Sequence, residues 1–259
     1  MATFLFDKIV FGPVQSRRLG VSLGINLLPT NAKWCSFNCI YCECGWTSKG
    51  PYNSSLFPSR EKVRTELYNM LKKMKIDGKA PDVITFAGNG EPTIHPEFPG
   101  IIDDTVAMRN DLFPLAQIAV LSNASMIHMP GVFDALKKIE QNILKLDSGI
   151  ESTIRFLNQP HESFSLKKTI EHLKKFKGKF ILQTLFVRGR YKNRQVDNTT
   201  TGELNAWLPL VRELNPKQVM IYTIARDTPA EWLKKVPYNE LEKIASKVEA
   251  MGIAVSISA

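Results

Sequence analysis

No cysteine lies outside residues 35–44, although the chain runs to 259 residues. Histidine is nearly as scarce, with four in all. No apolar run approaches the ~20 residues that a bilayer-crossing helix needs. Repeats, low-complexity stretches and charged tails are missing too. Each absence excludes something. Thiols gathered in one loop cannot staple a fold, so a disulfide framework is out. A zinc site of the usual two-pair kind lacks its second pair, and would need Cys44 or a distant histidine as its fourth ligand. The N-terminus, MATFLFDKIVFGP, lacks the basic start, long apolar segment and small-residue cleavage site of a secretory leader. A cytoplasmic protein with no membrane association is expected.

What is present is an ordinary globular composition, 44% apolar and 23% charged. That length is long for one domain but within reach of an α/β barrel. The formal net charge is +9, and its distribution matters more than its size. Between Phe164 and Arg194 ten Lys or Arg face one acid, Glu171, so this stretch alone accounts for the whole excess. It is either a polyanion-binding patch, RNA being the obvious partner, or a solvated lysine-rich helix face.

Past residue 20 the sequence alternates between two periods. Apolar or β-branched runs at Val21–Leu27, Val83–Ala87, Ile118–Leu121, Ile143–Leu146, Phe180–Val187 and Val219–Ile224 read as strands. Helical stripes fall between or after them: Val63, Leu67, Met70, Leu71 and Met74; Leu166, Ile170 and Leu173; Leu204, Trp207, Leu208, Val211 and Leu214; Leu241, Ile244, Val248 and Met251. Thr200 to Glu203 reads as a capping box, and Gly252 as the stop of the last helix. Such alternation implies a parallel sheet with helices outside. Six units, with a seventh strand at Ile253–Ile257, fall short of the eight that close a barrel. The expected fold is an open, partial TIM-type barrel over residues 21–259 in a single domain, with residues 1–20 as an N-terminal extension. A doubly wound sheet is the alternative. In either, reactive groups belong at the C-terminal ends of the strands, where the cysteine loop also emerges.

The loop, NAKWCSFNCIYCECGWT (residues 31–47), is the most chemically loaded stretch of the chain. Its spacing is Cys35-x3-Cys39-x2-Cys42, with Cys44 two positions on. Three thiolates on a tight loop suit an iron–sulfur cube, whose irons each need one outside ligand. Three cysteines leave one iron open to a small chelating molecule. A zinc or purely structural site remains the alternative.

The pattern C-x3-C-x-Φ-C, with Tyr41 before the last cysteine, resembles the signature of the radical S-adenosylmethionine (SAM) superfamily. Within it, FGPVQSRRLGVSLGIN (Phe11–Asn26) followed by that loop resembles the wyosine-synthetase-related subgroup. The resemblance implies a 4Fe-4S cluster on Cys35, Cys39 and Cys42, with S-adenosylmethionine chelating the open iron and Tyr41 among the cofactor contacts. Cys44 departs from the three-cysteine minimum; it is read as a non-ligand, with a hydrogen-atom donor or substitute ligand as alternatives.

Strand-end motifs continue the likeness. Gly88-Asn89-Gly90-Glu91-Pro92 resembles the superfamily's Gly-Gly-Glu-Pro motif with an inserted asparagine. It implies that Gly88, Gly90 and Glu91 grip the methionine amino group. Ser122 and Asn123 end the third strand, Asp147 the fourth, and Gln183 lies in the fifth. Polar groups closing apolar strands at one face suit a ribose and an adenine, and Asn123 or Asp147 equally suit helix caps or turns. His95 follows the Glu-Pro motif closely enough to line the site. Tyr222 and Arg226 are either substrate-facing or a buried Tyr and a surface Arg. Ser16-Arg17-Arg18 either binds an anion or caps the barrel base.

Three functions are carried forward. The first is a compact radical SAM enzyme that abstracts hydrogen from RNA, such as tRNA, fed by an external one-electron donor of flavodoxin or ferredoxin type. The second acts on protein or peptide, in the manner of a glycyl-radical activase. The third is a non-enzymatic metal or iron–sulfur module.

Overall fold

The β-branched runs pair edge to edge in the order of their appearance. The computed structural model describes residues 4–16, 19–48, 50 and 53–259. In chain order its strands are β1 (Val10–Ser16), β2 (Gly20–Ile25), β3 (Val83–Phe86), β4 (Gln117–Ser122), β5 (Gln141–Lys145), β6 (Ile181–Leu185), β7 (Val187–Tyr191), β8 (Arg194–Asp197), β9 (Gln218–Tyr222), β10 (Trp232–Lys235) and β11 (Ala254–Ser258). The helices are α1 (Arg60–Ile76), α2 (Phe98–Leu112), α3 (Pro130–Lys137), α4 (Glu151–Leu157), α5 (Leu166–Lys174), α6 (Thr201–Leu214) and α7 (Tyr238–Glu249).

Among the described residues one sheet has eight strands in the order β1-β2-β3-β4-β5-β6-β9-β11. From β2 to β11 every pairing is parallel; β1 alone runs antiparallel, against β2. The sheet curls into an open, partial barrel, with all seven expected parallel strands in place. Parallel strands are covered on both faces, which is why they read as unbroken apolar runs. Ile84, Phe86, Ile118, Val120, Leu144, Leu182, Val219 and Ile221 pack outward into one large core with the helices. Val83, Ala119, Ile143, Ile181 and Met220 point inward and plug the barrel floor.

The helices form where an apolar stripe meets a cap. Ser59 accepts from the Lys62 amide to open α1, whose Val63, Leu67, Leu71 and Met74 are buried. Each fully buried Leu there contributes roughly 1.5–3 kcal/mol. Thr200 caps α6 through the Glu203 amide. The Glu203 carboxylate accepts from Ser148 and Thr153 instead of reaching back, so half of the expected capping box forms. Gly252, at φ +80°, follows α7. Three helices escaped the sequence reading. The buried face of α2 includes Thr105 and Arg109, α3 opens on Pro130-Gly131, and α4 has only seven residues.

A second sheet, ordered β10-β7-β8 and antiparallel throughout, was also missed. Its β7–β8 hairpin turns on Lys192-Asn193, both at positive φ as a two-residue primed turn requires. Val187, Val196 and Leu233 on its inner face join Phe37, Ile40, Tyr41, Leu157 and Leu185 in a separate apolar cluster. This cluster seats the cysteine loop. Residues 1–20 contribute β1, whose Ser16 side chain accepts from the Leu19 amide. Arg17 and Arg18 lie outside the described residues.

Candidate functional site

Three strand ends and the end of α4 hold the cysteine loop, by its backbone and through the Ser36 side chain. After β3, Trp34 donates to the Asn89 carbonyl at 2.8 Å and accepts from the Glu91 amide at 3.1 Å. The approach is so close that a Cβ on Gly90 (φ +137°) would stand 1.7 Å from the Trp34 oxygen. A Cβ on Gly88 would meet the Asn26 side chain at 2.3 Å. The two glycines therefore fit the strand end to the loop and to Asn26. After β4, Ser125 meets Ser36 at 2.6 Å, and Asn123 donates to Ser36 at 2.9 Å. After α4, the Asn158 and Leu157 carbonyls accept from Asn38 and Ile40, both at 2.9 Å. After β9, Ala230 donates to the Ile40 carbonyl at 3.1 Å.

The sulfurs sit among N–H donors. Cys39 is buried and Cys35, Cys42 and Cys44 are half-buried. Cys35 Sγ accepts from the Phe37 amide (3.4 Å) and Asn123 Nδ2 (3.5 Å), and Cys39 Sγ from Asn158 Nδ2 (3.4 Å). Burial pushes Cys35 up to about 12 and raises Cys39. Cys42 accepts a hydrogen bond from Cys44 and falls to about 5, helped by Lys33 and opposed by burial. Cys44 is driven up by that same bond and by burial, and its thiol also donates to the Gly88 carbonyl at 3.4 Å. Burial opposes the charge of Lys33, yet the surrounding Cys42, Cys35 and Cys39 prevail and its pKa rises. Among the described residues no three His, Cys, Asp or Glu side chains converge on a single-ion position.

Most of the remaining predicted residues gather at the same rim, several engaged by protein partners. Glu91 is buried; one carboxylate oxygen accepts from the Thr93 amide (3.1 Å) and hydroxyl (2.5 Å), the other from the Asn123 amide (2.6 Å). Burial raises its pKa against those bonds. Ser122 accepts from the Ala124 amide at 3.0 Å. Asp147 accepts from the Leu185 amide (2.9 Å), from Asn158 (2.7 Å) and from the Tyr41 hydroxyl. Burial first, and Asp147 next, lift Tyr41 well above the usual phenol range. Gln183 is buried in β6, in register with Lys145 of β5 and Met220 of β9. His95 does not line the site. Its Nε2 bonds the Pro58 carbonyl and its Nδ1 accepts from the Glu97 amide, because the short turn at Pro92–Ile94 aims it away from the rim. Arg226 pairs with Glu43 at 3.0 Å and lies over the Phe4 ring.

Comparison with known proteins decides the family. The model for the radical SAM superfamily matches residues 32–192. The chain belongs to the radical SAM superfamily. A UPF0026 protein of Methanocaldococcus jannaschii is 31% identical over 240 residues, covering 91% of this chain and 70% of that one. A protein named GTPase Obg from Brachyspira hyodysenteriae is 30% identical over 250 residues, 95% of this chain but 34% of its own length. This chain thus spans about a third of that relative. A radical SAM methyltransferase from Sphaerobacter thermophilus shares the fold, with TM-score 0.67 over 92% of this chain and 65% of that one, at 12% identity. Radical SAM enzymes use S-adenosylmethionine and an iron–sulfur cluster.

Within this radical SAM fold several rim residues were missed by sequence reasoning. Asn89 is fully buried and clamps the N-terminal segment, accepting from the Phe6 amide and donating to the Phe6 and Pro29 carbonyls. Asn198 donates to the Asp147 and Leu185 carbonyls. Lys145 donates to the Tyr222 hydroxyl at 2.8 Å and stands 3.5 Å from Asp147. Burial opposes its charge, but Asp147, Tyr222 and Cys39 raise its pKa. The LKLD run held a signal for it: two positions apart, Lys145 and Asp147 share the strand's inward face.

The basic stretch divides. Lys174, Lys175, Lys177 and Lys179 lead into the N-terminal end of β6, and Lys174 pairs with Glu213. Arg188, Arg190, Lys192 and Arg194 follow its C-terminal end, in the small sheet beside the cysteine loop. Five residues of strand, about 16 Å, separate the two groups. Arg188 is already paired with Asp197 and Glu240. No helix among the described residues is long and apolar enough to cross a membrane.

Proposed function

We propose that Cys35, Cys39 and Cys42 hold a 4Fe-4S cluster, that the surrounding rim takes S-adenosylmethionine, and that the enzyme acts on RNA. The observation that carries the cluster assignment is the set of N–H groups of Phe37, Asn123 and Asn158 aimed at Cys35 and Cys39 Sγ, beside the Lys33 ammonium. Thiolates ligating iron need such donors and a nearby cation to offset their charge. When bound, the two groups supply reductive cleavage of a sulfonium, giving methionine and a 5′-deoxyadenosyl radical that abstracts hydrogen.

The chain's own residues orient and enclose. Glu91, fixed by Thr93 and Asn123, shapes the Gly88–Glu91 strand end that would hold the methionine part. Ser122, Asn123 and Gln183 offer polar edges to the nucleoside part. Asp147 keeps Tyr41 in place over Lys145, whose ammonium lies 5.3 Å from the Tyr41 and Tyr222 ring centroids. Together they line the barrel mouth with held, largely buried groups that exclude water from the reacting atoms. An external flavodoxin or ferredoxin would deliver the electron. Cys44, donating to Cys42 and the Gly88 carbonyl, acts as a support rather than a ligand.

Anaerobic reconstitution tests this. Wild type should bind about four irons, change its EPR signal when S-adenosylmethionine is added, and release 5′-deoxyadenosine on reduction. Cys39→Ala should lose the iron, whereas Cys44→Ala should keep it. A fully loaded Cys39→Ala, or release of no 5′-deoxyadenosine by wild type, would overturn the reading. Affinity for RNA should fall steeply with salt; a flat salt response would remove RNA as the substrate.

A further inference from the structure

We propose that the outer face of the small β10-β7-β8 sheet is the docking surface on which a single-stranded segment of the RNA lies. The inference rests on the RNA reading above and names the place on the molecule that serves it. Register settles which side chains share this face. Trp232 stands opposite Arg190, and Arg190 opposite Gln195, so the three form one row across the sheet. Lys234, Arg188 and Asp197 form the next row. The opposite face carries Val187, Val196 and Leu233 and is buried against the cysteine loop's cluster.

The outer row is open. Trp232 is 71% exposed, the highest of any tryptophan in the described chain. Arg190, Gln195 and Lys234 are exposed too. Arg188 is neutralised by Asp197 and Glu240, but Arg190 and Lys234 have no ion pair among the described residues. A strand surface that presents an indole beside two cations without ion pairs matches the chemistry of a nucleotide strand. The base has a π-face to lay on the indole, and the flanking phosphates meet the cations. An acidic peptide would use the cations but leave the indole without a stacking partner, so the row favours RNA.

The face is tied to the site. Gly189, at φ +134°, lets the central strand approach β10 so closely that a Cβ would stand 2.0 Å from the Trp232 carbonyl. Tyr191 of the same strand packs on Trp46 of the cysteine loop at 6.0 Å and on Phe156 at 5.8 Å between ring centroids. RNA held on the outer face is therefore held on the wall of the barrel mouth, not at the Lys174–Lys179 pole.

The test is fluorescence anisotropy of a short labelled single-stranded RNA of mixed sequence with the full chain, across a salt series. Trp232→Ala should weaken binding roughly five- to 150-fold, and Trp232→Phe should restore most of it. The double variant Arg190→Ala/Lys234→Ala should reduce the salt slope by roughly 1.4, one phosphate contact each. Lys174→Ala/Lys175→Ala should leave both quantities unchanged. Wild-type affinity and slope in the Trp232 and Arg190/Lys234 variants would overturn the assignment of this face while leaving the RNA reading standing. So would a loss confined to the Lys174/Lys175 variant. No RNA binding by wild type that still releases 5′-deoxyadenosine would overturn both, and tight binding of an acidic peptide in its place would give the face to a protein substrate.

Discussion

Asn158 and Asn142 are the same side chain, equally buried, in opposite situations. Asn158, at the rim, donates to Cys39 Sγ, the Tyr41 hydroxyl and Asp147. Asn142, on β5, has neither its Nδ2 nor its Oδ1 hydrogen-bonded. A buried amide without partners costs roughly 1–3 kcal/mol. The contrast separates two regions. Between sheet and helices, apolar packing does the holding and a polar side chain is a defect. At the strand ends, buried asparagines, lysines and acids form a connected network, and apolar replacement is the defect.

Four substitutions sharpen that contrast. Gly90→Ala places a methyl against the Trp34 carbonyl at a positive φ. It should cost about 4 kcal/mol or more and leave little soluble, iron-binding protein; a urea midpoint equal to wild type would refute the close approach. Leu67→Ala, in the fully buried α1 stripe, should cost about 3 kcal/mol by cavity formation while iron content per folded chain stays normal. Asn158→Leu should cost about 2 kcal/mol and also lower iron content. Loss of stability without loss of iron would make Asn158 a packing residue alone. Asn142→Val, smallest and opposite in sign, should stabilise by about 1 kcal/mol, since valine suits a strand and carries no orphaned amide. Destabilisation there would break the comparison.

The barrel was legible because its physics is local. Val83-Ile84-Thr85-Phe86 is buried along its whole length, so a parallel strand announces itself as a run. The cysteine spacing is equally local, and the superfamily that it pointed to is the one that the family model matches. Partnerships across the chain left no such trace. Asn158 meets Cys39 across 119 positions, and no periodicity reports it. His95 was placed near the site by sequence proximity, yet the turn that begins at Pro92 points it at Pro58. The basic stretch looked like one patch because its residues are adjacent in sequence; β6 runs through it and puts its halves at opposite poles. The small sheet escaped notice because its outward rows are charged and its hairpin turns on Lys-Asn rather than a glycine-containing pair.

The loop that bears the thiols is translated early, but the contacts that seat it come late. Ile40 is held by Leu157 and again by Ala230, so its resting place is complete only once the ribosome has passed residue 230. Until then the four thiols of the loop travel on an incompletely seated segment. Any group that needs those thiols held in place must therefore meet them after that late contact has formed.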